Sequence, residues 1–347
     1  MDFYQQKQKD GMKKLRELQA DLPPLTKEFF TGIADRTSIL TRINYAYDLR
    51  IFFDYLKNEV FHKAALSITL ADLNQLTATD IEEYIQYISV YEFHGNENAN
   101  QERGKARKLS SVRSFFKYLF NKDRLDANVS AKVSFPKLHD KEIVRLDVDE
   151  ITRLLDEVES GGGLTKRQLD YHAIYKTRDL AMLTLFLGTG IRISECVGLN
   201  IDDINFRNNS FKVTRKGGNQ AILYFSDEVA DALRAYREER LDIEVKDEAE
   251  REAFFLSAQN KRIGVRAVEN LVKKYSQIIT PLKHITPHKL RSTYGTALYR
   301  ETNDIYVVAE VLGHHDINTT KKHYAAMSDE VRRAAATKVK LRDPEES

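Results

Sequence analysis

One stretch limits what this chain can become: residues 285–324, ITPHKLRSTYGTALYRETNDIYVVAEVLGHHDINTTKKHY. His288 and Arg291 lie three apart, so on a helix they share one face. Pro287 suits the first turn of that helix, where its missing N–H costs nothing. Leu290, Tyr294, Ala297 and Leu298 recur at helical spacing and predict its buried side. Leu312 and Gly313 read as a helix ending at a glycine, with His314 just beyond the turn. Two imidazoles, a guanidinium and the phenol of Tyr324 are what phosphoryl transfer to a tyrosine requires. The cations hold phosphate oxygens while the phenol attacks phosphorus. Each pair alone is a common chance pattern; their order and spacing carry the reading.

The 347 residues suffice for two domains, each with its own core. Apolar residues at 42% and charged residues at 31% are ordinary for a globular protein. No apolar run approaches the ~20 residues of a membrane helix, and the first residues, MDFYQQKQKDGMKKLRELQ, lack a signal core. A cytoplasmic protein with no membrane partner is therefore expected. Cys196 is the only cysteine, so no intrachain disulfide can form, which suits a reducing compartment. Cys196 itself reads as a small buried helix residue. The net charge is only +2, with 54 Lys+Arg against 52 Asp+Glu. Any nucleic-acid contact must then come from local patches.

Residues 1–24 read as an N-terminal helical extension, a charged amphipathic helix over 1–22 ended by Pro23 and Pro24. From about Thr37, Ile39, Ile43, Ala46, Leu49, Phe52 and Phe53 recur at helical spacing, with Thr41, Arg42, Tyr45 and Arg50 on other faces. Thr79, Asp80 and Glu82 read as a capping box for a third helix running through Ile88. The next helix spans about 101–120, with Leu109, Val112, Phe116 and Leu119 as its core stripe. Arg103, Lys105, Arg107, Lys108, Arg113 and Lys117 put six basic residues in fifteen positions of it. A charge run by itself is a solvated face; Ser110 and Ser111 among the cations suit phosphate contacts. No strand pattern precedes residue 135, so the first domain is expected to be all-helical. Residues 135–141, FPKLHDK, read as a linker.

Beyond it, Asp149 and Glu150 open a helix over 151–158, and Gly161, Gly162 and Gly163 mark a loop. Residues 178–187 predict an apolar core helix broken by Gly188-Thr189-Gly190. The run GTGIRISECVGLN then places Arg192 at a helix start, with Glu195 three residues on. FKVTRK and NQAILYF are β-rich and joined by Gly217 and Gly218, a hairpin signal with Lys216 at the turn. A helix over 265–275 turns Val268, Leu271, Val272 and Tyr275 inward. Ser328 is placed to cap a last helix through about 338. The expected fold class is mainly α, with a small antiparallel sheet in the second domain.

Assembled in order, Arg192, Lys216, His288, Arg291, His314 and Tyr324 resemble the catalytic set of the tyrosine recombinases, the phage-integrase and Xer family. GTGIRISE is similar to its first-arginine motif and VTRKGG to its β-hairpin lysine. ITPHKLRSTYGTALY is similar to its HxxR box, and LGHHDINTTKKHY to its histidine and nucleophile boxes. The wording is closest to single-recombinase Xer proteins, and the likeness covers about 144–327. Two departures stand out. Ser292 occupies a position where many members have a second histidine, and Tyr324 follows His314 by ten residues rather than nine.

The resemblance implies a helical core DNA-binding domain of SAM-like type over 25–138, a catalytic domain over 142–327, and a C-terminal helix and tail over 328–347. The two domains would form a clamp on DNA. Arg192 and Arg291 would hold the non-bridging phosphate oxygens. Tyr324 would be the nucleophile, Lys216 the acid to the leaving 5′ oxygen, His288 an acid/base partner and His314 a further donor. Neither metal nor other cofactor is implied; the sequence has no P-loop and no acidic cluster suited to Mg²⁺. Thr41, Arg42, Tyr45, Arg103, Lys105, Arg107, Lys108 and Arg113 are the candidate DNA contacts. The partners implied are double-stranded DNA with an inverted-repeat site and three further copies of the chain, a tetramer joined through the C-terminal helix. The reading is site-specific recombination, in chromosome dimer resolution or in movement of a mobile element. A type IB topoisomerase and a non-catalytic DNA-binding regulator are the alternatives; the presence of all six residues argues against the regulator.

Overall fold

The computed structural model describes residues 3–139, 144–215 and 218–313. It is mainly helical with two small antiparallel sheets, and it divides into two compact units, Met1–Lys141 and Glu142–Ser347.

The first unit begins with α1 (Phe3–Gln19), α2 (Thr26–Gly32) and α3 (Ile39–Tyr55). The short α4 (Leu70–Gln75) and α5 (Ala78–Tyr87) follow, then β1 (Val90–Phe93), β2 (Asn96–Ala99) and α6 (Glu102–Phe120). The hydroxyl of Ser38 caps α3 by accepting the Thr41 amide. The core is aromatic: Phe29, Phe52, Phe53, Tyr84, Phe115 and Phe116 are fully buried. Their rings meet edge to face, Phe52 with Tyr84 at 5.1 Å and Phe29 with Phe115 at 5.4 Å. The α6 stripe of Leu109, Val112, Phe116 and Leu119 is buried as its spacing predicts.

Two expectations are corrected here. The unit is not all-helical, because β1 and β2 pair as an antiparallel hairpin from Val90 with Ala99 to Phe93 with Asn96. Its turn is made by His94 and Gly95, both at positive φ, the backbone that a two-residue hairpin loop demands. The second strand, NENA, has no β-forming side chain, so nothing in its composition announces it. The cap of α5 is Thr77 rather than Thr79: the Thr77 amide donates to Asp80, whose own amide donates to the Thr77 hydroxyl.

The second unit runs α7 (Val148–Ser160), α8 (Lys166–Thr189), α9 (Ile193–Cys196), β3 (Ile204–Asn205), β4 (Ser210–Thr214) and β5 (Gln220–Tyr224). It continues with α10 (Asp227–Asp242), α11 (Val265–Ile279), α12 (Pro287–Thr302) and α13 (Ile305–Leu312). Helix α8 is the spine, and α7, α10 and α12 all pack on it. It starts twelve residues before the apolar stretch that predicts it, because Thr165 and Gln168 form a capping box and the first turns are surface. Strands β3, β4 and β5 form one antiparallel sheet in that order, with Phe211 opposite Leu223. Val268, Leu271, Val272 and Tyr275 of α11 are buried as predicted. On α12, Leu290 is buried and Tyr294 and Leu298 are half-buried, but Ala297 is exposed. Cys196 is buried, and burial pushes its thiol up. Among the described residues, no helix is long and apolar enough to cross a membrane.

Candidate active site

The site is built around the end of α13. Asp304 caps the start of this helix by accepting the Tyr306 amide, and Gly313 ends it in the left-handed conformation at φ +61°. The last carbonyls of a helix have no partner within it and carry roughly half an elementary negative charge. Here three of them in succession meet three guanidinium groups. Arg215 Nη2 donates to the Val311 carbonyl at 3.3 Å. Arg291 Nη2 donates to that of Leu312, and Arg192 Nη2 to that of Gly313 at 2.8 Å.

Each arginine comes from a different element. Arg192 is the N-cap of α9, at the helix start its sequence predicts, and Glu195 three residues on reaches back to it. One Glu195 oxygen accepts the Arg192 amide at 3.0 Å and the other accepts Nη1 at 2.9 Å. Glu195 is 3% exposed and Arg192 32%, so the carboxylate is the fixed partner and the guanidinium still reaches solvent. Glu195 therefore orients Arg192. Arg291 is buried on α12, and its Nη1 donates to the carbonyl of Gly190. Gly190 closes α8 at φ +61°; a Cβ there would lie 2.5 Å from the Tyr294 ring and 2.8 Å from Leu312. The first-arginine motif needs that glycine for conformation and for space at once.

His288 lies one turn before Arg291 in the first turn of α12 and is exposed. Pro287 fills the first position of that helix, as predicted, and the Thr286 hydroxyl caps it by accepting the Lys289 amide. Ser292 donates its hydroxyl to the His288 carbonyl, a local bond that needs no substrate. The Tyr294 phenol is pushed up by burial, which suits a wall rather than a nucleophile. Lys216, His314 and Tyr324, and the helix expected after Ser328, lie outside the described residues. The hairpin expected to carry Lys216 is present: β4 pairs with β5, and the Arg215 amide donates to the Asn219 carbonyl at 2.7 Å. Among the described residues, no cluster of His, Cys, Asp and Glu could hold a metal ion.

Most of the candidate DNA contacts have work inside the first unit. Arg42 is buried rather than set on an outer face, and Tyr45 stacks on Phe29 at 6.0 Å. The Thr41 hydroxyl bonds that of Ser38. Arg107 donates to the buried Asp48 at 2.6 Å. Ser111, expected to face phosphate, is buried and donates to the same carboxylate oxygen. Lys108 is buried and donates to Asn100; burial lowers its pKa. Arg113 donates to the carbonyls of Ser130, Ala131 and Val133 and lies over the Phe135 ring. Arg103 is exposed and Lys105 half-exposed. Arg42, Lys108 and Ser111 are thus buried where the sequence pattern set them on outer faces, while Arg107 stays half-exposed beside Asp48; long basic side chains also tie elements together.

Residues 144–330, more than half of the chain, match the family described as the phage integrase family. The chain belongs to that family. Among its phage integrase relatives, a tyrosine recombinase XerC of Caldanaerobacter subterraneus subsp. tengcongensis is 32% identical over 334 residues, covering 91% of this chain and 86% of the relative. A tyrosine recombinase XerD of Bifidobacterium longum is 30% identical, covering 86% and 91%. The fold is shared with the XerH site-specific recombinase bound to a palindromic difH substrate in a post-cleavage complex: the TM-score is 0.65 at 17% identity, over 89% of this chain and 83% of that one.

Arg215 is the site residue that the motifs did not mark. It stands within VTRKGG beside the lysine that drew the functional reading. Its partner carbonyl is 96 residues away, so no spacing rule could have joined them.

Proposed function

We propose that this chain is a site-specific DNA recombinase that cuts and rejoins strands through a covalent 3′-phosphotyrosine. The observation that carries the reading is the convergence of Arg192 and Arg291 on neighbouring carbonyls of one helix end, in a member of the phage integrase family. Two guanidinium forks fixed side by side are a receptor for the non-bridging oxygens of a phosphodiester. They neutralise the charge that grows on phosphorus as the pentavalent transition state forms.

In the reaction, the Tyr324 oxygen bonds to phosphorus and the bond from phosphorus to the 5′ oxygen breaks. The phenolic proton passes to His288, and Lys216 delivers a proton to the departing 5′ oxygen. His314 donates to the phosphate. The 5′ hydroxyl of a second duplex then attacks the phosphotyrosine, and the tyrosine leaves. Each phosphoester broken is replaced by one formed, so the bond energy is held in the phosphotyrosine and no nucleotide is hydrolysed. Residues 142–327 are the catalytic domain in this reading and 25–138 the core DNA-binding domain, the two closing on a duplex as a clamp. Arg103 and Lys105 are its leading phosphate contacts. The site would be an inverted repeat, the working unit a tetramer joined through the helix after Ser328, and the compartment the cytoplasm. The recombinase names of the relatives favour strand exchange over nicking and closing alone.

The test is Tyr324→Phe with a nicked site that traps the cleaved strand. The variant should bind DNA with unchanged affinity and form no covalent adduct on a denaturing gel. Adduct at the wild-type level would show that another residue is the nucleophile.

A further inference from the structure

The geometry points to Arg215 as a positioning residue for the two phosphate-gripping arginines, an inference that rests on the function proposed above. Arg215 is held at both ends. Its amide and carbonyl close the β4–β5 turn, by bonds to the Asn219 carbonyl and from the Gly218 amide. Its guanidinium crosses to the end of α13 and bonds the Val311 carbonyl. The next two carbonyls along the chain orient Arg291 and Arg192. Whatever fixes residues 311–313 therefore fixes both forks.

The placement of Arg215 is poor as a stability device. Its side-chain bond to Val311 is long, at 3.3 Å. Its Nε is buried, and none of the described residues accepts from it. A buried donor left open is a cost that a merely structural arginine would shed by turning outward. Gly313 is shaped to this guanidinium: a Cβ on it would lie 1.9 Å from Arg215 Nη1 and 2.3 Å from Cζ. The glycine that ends α13 thus serves its left-handed backbone and leaves a slot for the Arg215 side chain. Arg215 acts through the carbonyls and not on the phosphate. Its loss should lower the rate at saturating DNA rather than the affinity, since small displacements of catalytic groups can cost about a hundredfold in rate.

The experiment compares Arg215→Ala, Gly313→Ala and the double variant in the full chain. The readouts are single-turnover adduct formation on a nicked site at saturating DNA, site affinity and thermal unfolding. Arg215→Ala should slow adduct formation about tenfold or more, with affinity within about threefold of wild type and an unchanged unfolding midpoint. Gly313→Ala expels the same guanidinium, so it should be similarly slow. The double variant should be no slower than the slower single, as for two lesions of one device. Wild-type rates for Arg215→Ala, a rate loss in Arg215→Ala that tracks lost affinity or stability, or defects that multiply in the double variant would each overturn the inference. Absence of adduct with the wild-type chain would instead overturn the recombinase reading, and the inference with it.

Discussion

A single carboxylate holds two separate parts of Arg192, its amide and its guanidinium, and it does so while buried. Glu195→Gln keeps the shape but replaces one acceptor with a donor, so only one of those two bonds can persist. Adduct formation at saturating DNA should fall by about tenfold to a hundredfold, and urea unfolding should show a loss of about 1–3 kcal/mol. An unchanged rate would mean that the Gly313 carbonyl alone orients Arg192. At this scale the sequence is readable where partners lie within one helical turn. Arg192 and Glu195, three apart at a predicted helix start, are such a pair. It is silent where a partner is a distant backbone atom. Arg215, Arg291 and Arg113 all spend their guanidinium groups on carbonyls, and every residue has a carbonyl, so no residue type marks the acceptor.

Helix α6 shows how an element divides its charges. Its basic residues are not one patch: Arg107, Lys108 and Arg113 are tied to Asp48, Asn100 and the 130–133 carbonyls, Arg107 from the surface, while Arg103 is exposed. The two classes should fail differently. Arg103→Ala should weaken DNA binding and flatten its salt dependence by up to about one log unit per lost phosphate contact, with unfolding unchanged. Arg113→Ala should lower the stability of the first unit by about 2 kcal/mol, with the salt slope intact. Titration of binding against salt, beside urea unfolding, checks both; the reverse pattern would exchange their roles. Periodicity made the long elements legible: α6 and α11 bury the stripes their spacing predicts, and α3 buries Ala46, Leu49, Phe52 and Phe53 with Ile39 and Ile43 half-buried. It failed for the β1–β2 hairpin because burial there is slight: Val90 is 61% exposed, and β2 has no apolar face to alternate. It also shortened α8, whose first turns are held by a cap rather than by a core.

At the scale of the molecule, the first unit keeps a core of its own, from Leu15 to Val133. Residues 1–139 expressed alone should therefore unfold in one cooperative transition by circular dichroism. Residues 142–347 alone should still form adduct on a nicked site, with weakened binding and a shallower salt slope. A non-cooperative melt of the first fragment would show that its core depends on the second. The division into two units follows the switch of pattern in the sequence. The assembly of the candidate site does not, because it joins positions 190, 215, 291 and 311–313 through main-chain atoms. That mode of assembly matters for a protein able to break DNA. The last turn of α13 receives one arginine from the start of α9, one from a hairpin and one from α12, so on the proposed function the phosphate receptor forms only when these distant parts of the second unit have come together. On that reading, a nascent chain that ends before residue 311 holds Arg192, Arg215 and Arg291 without the carbonyls that orient them, and should form no adduct on a nicked site.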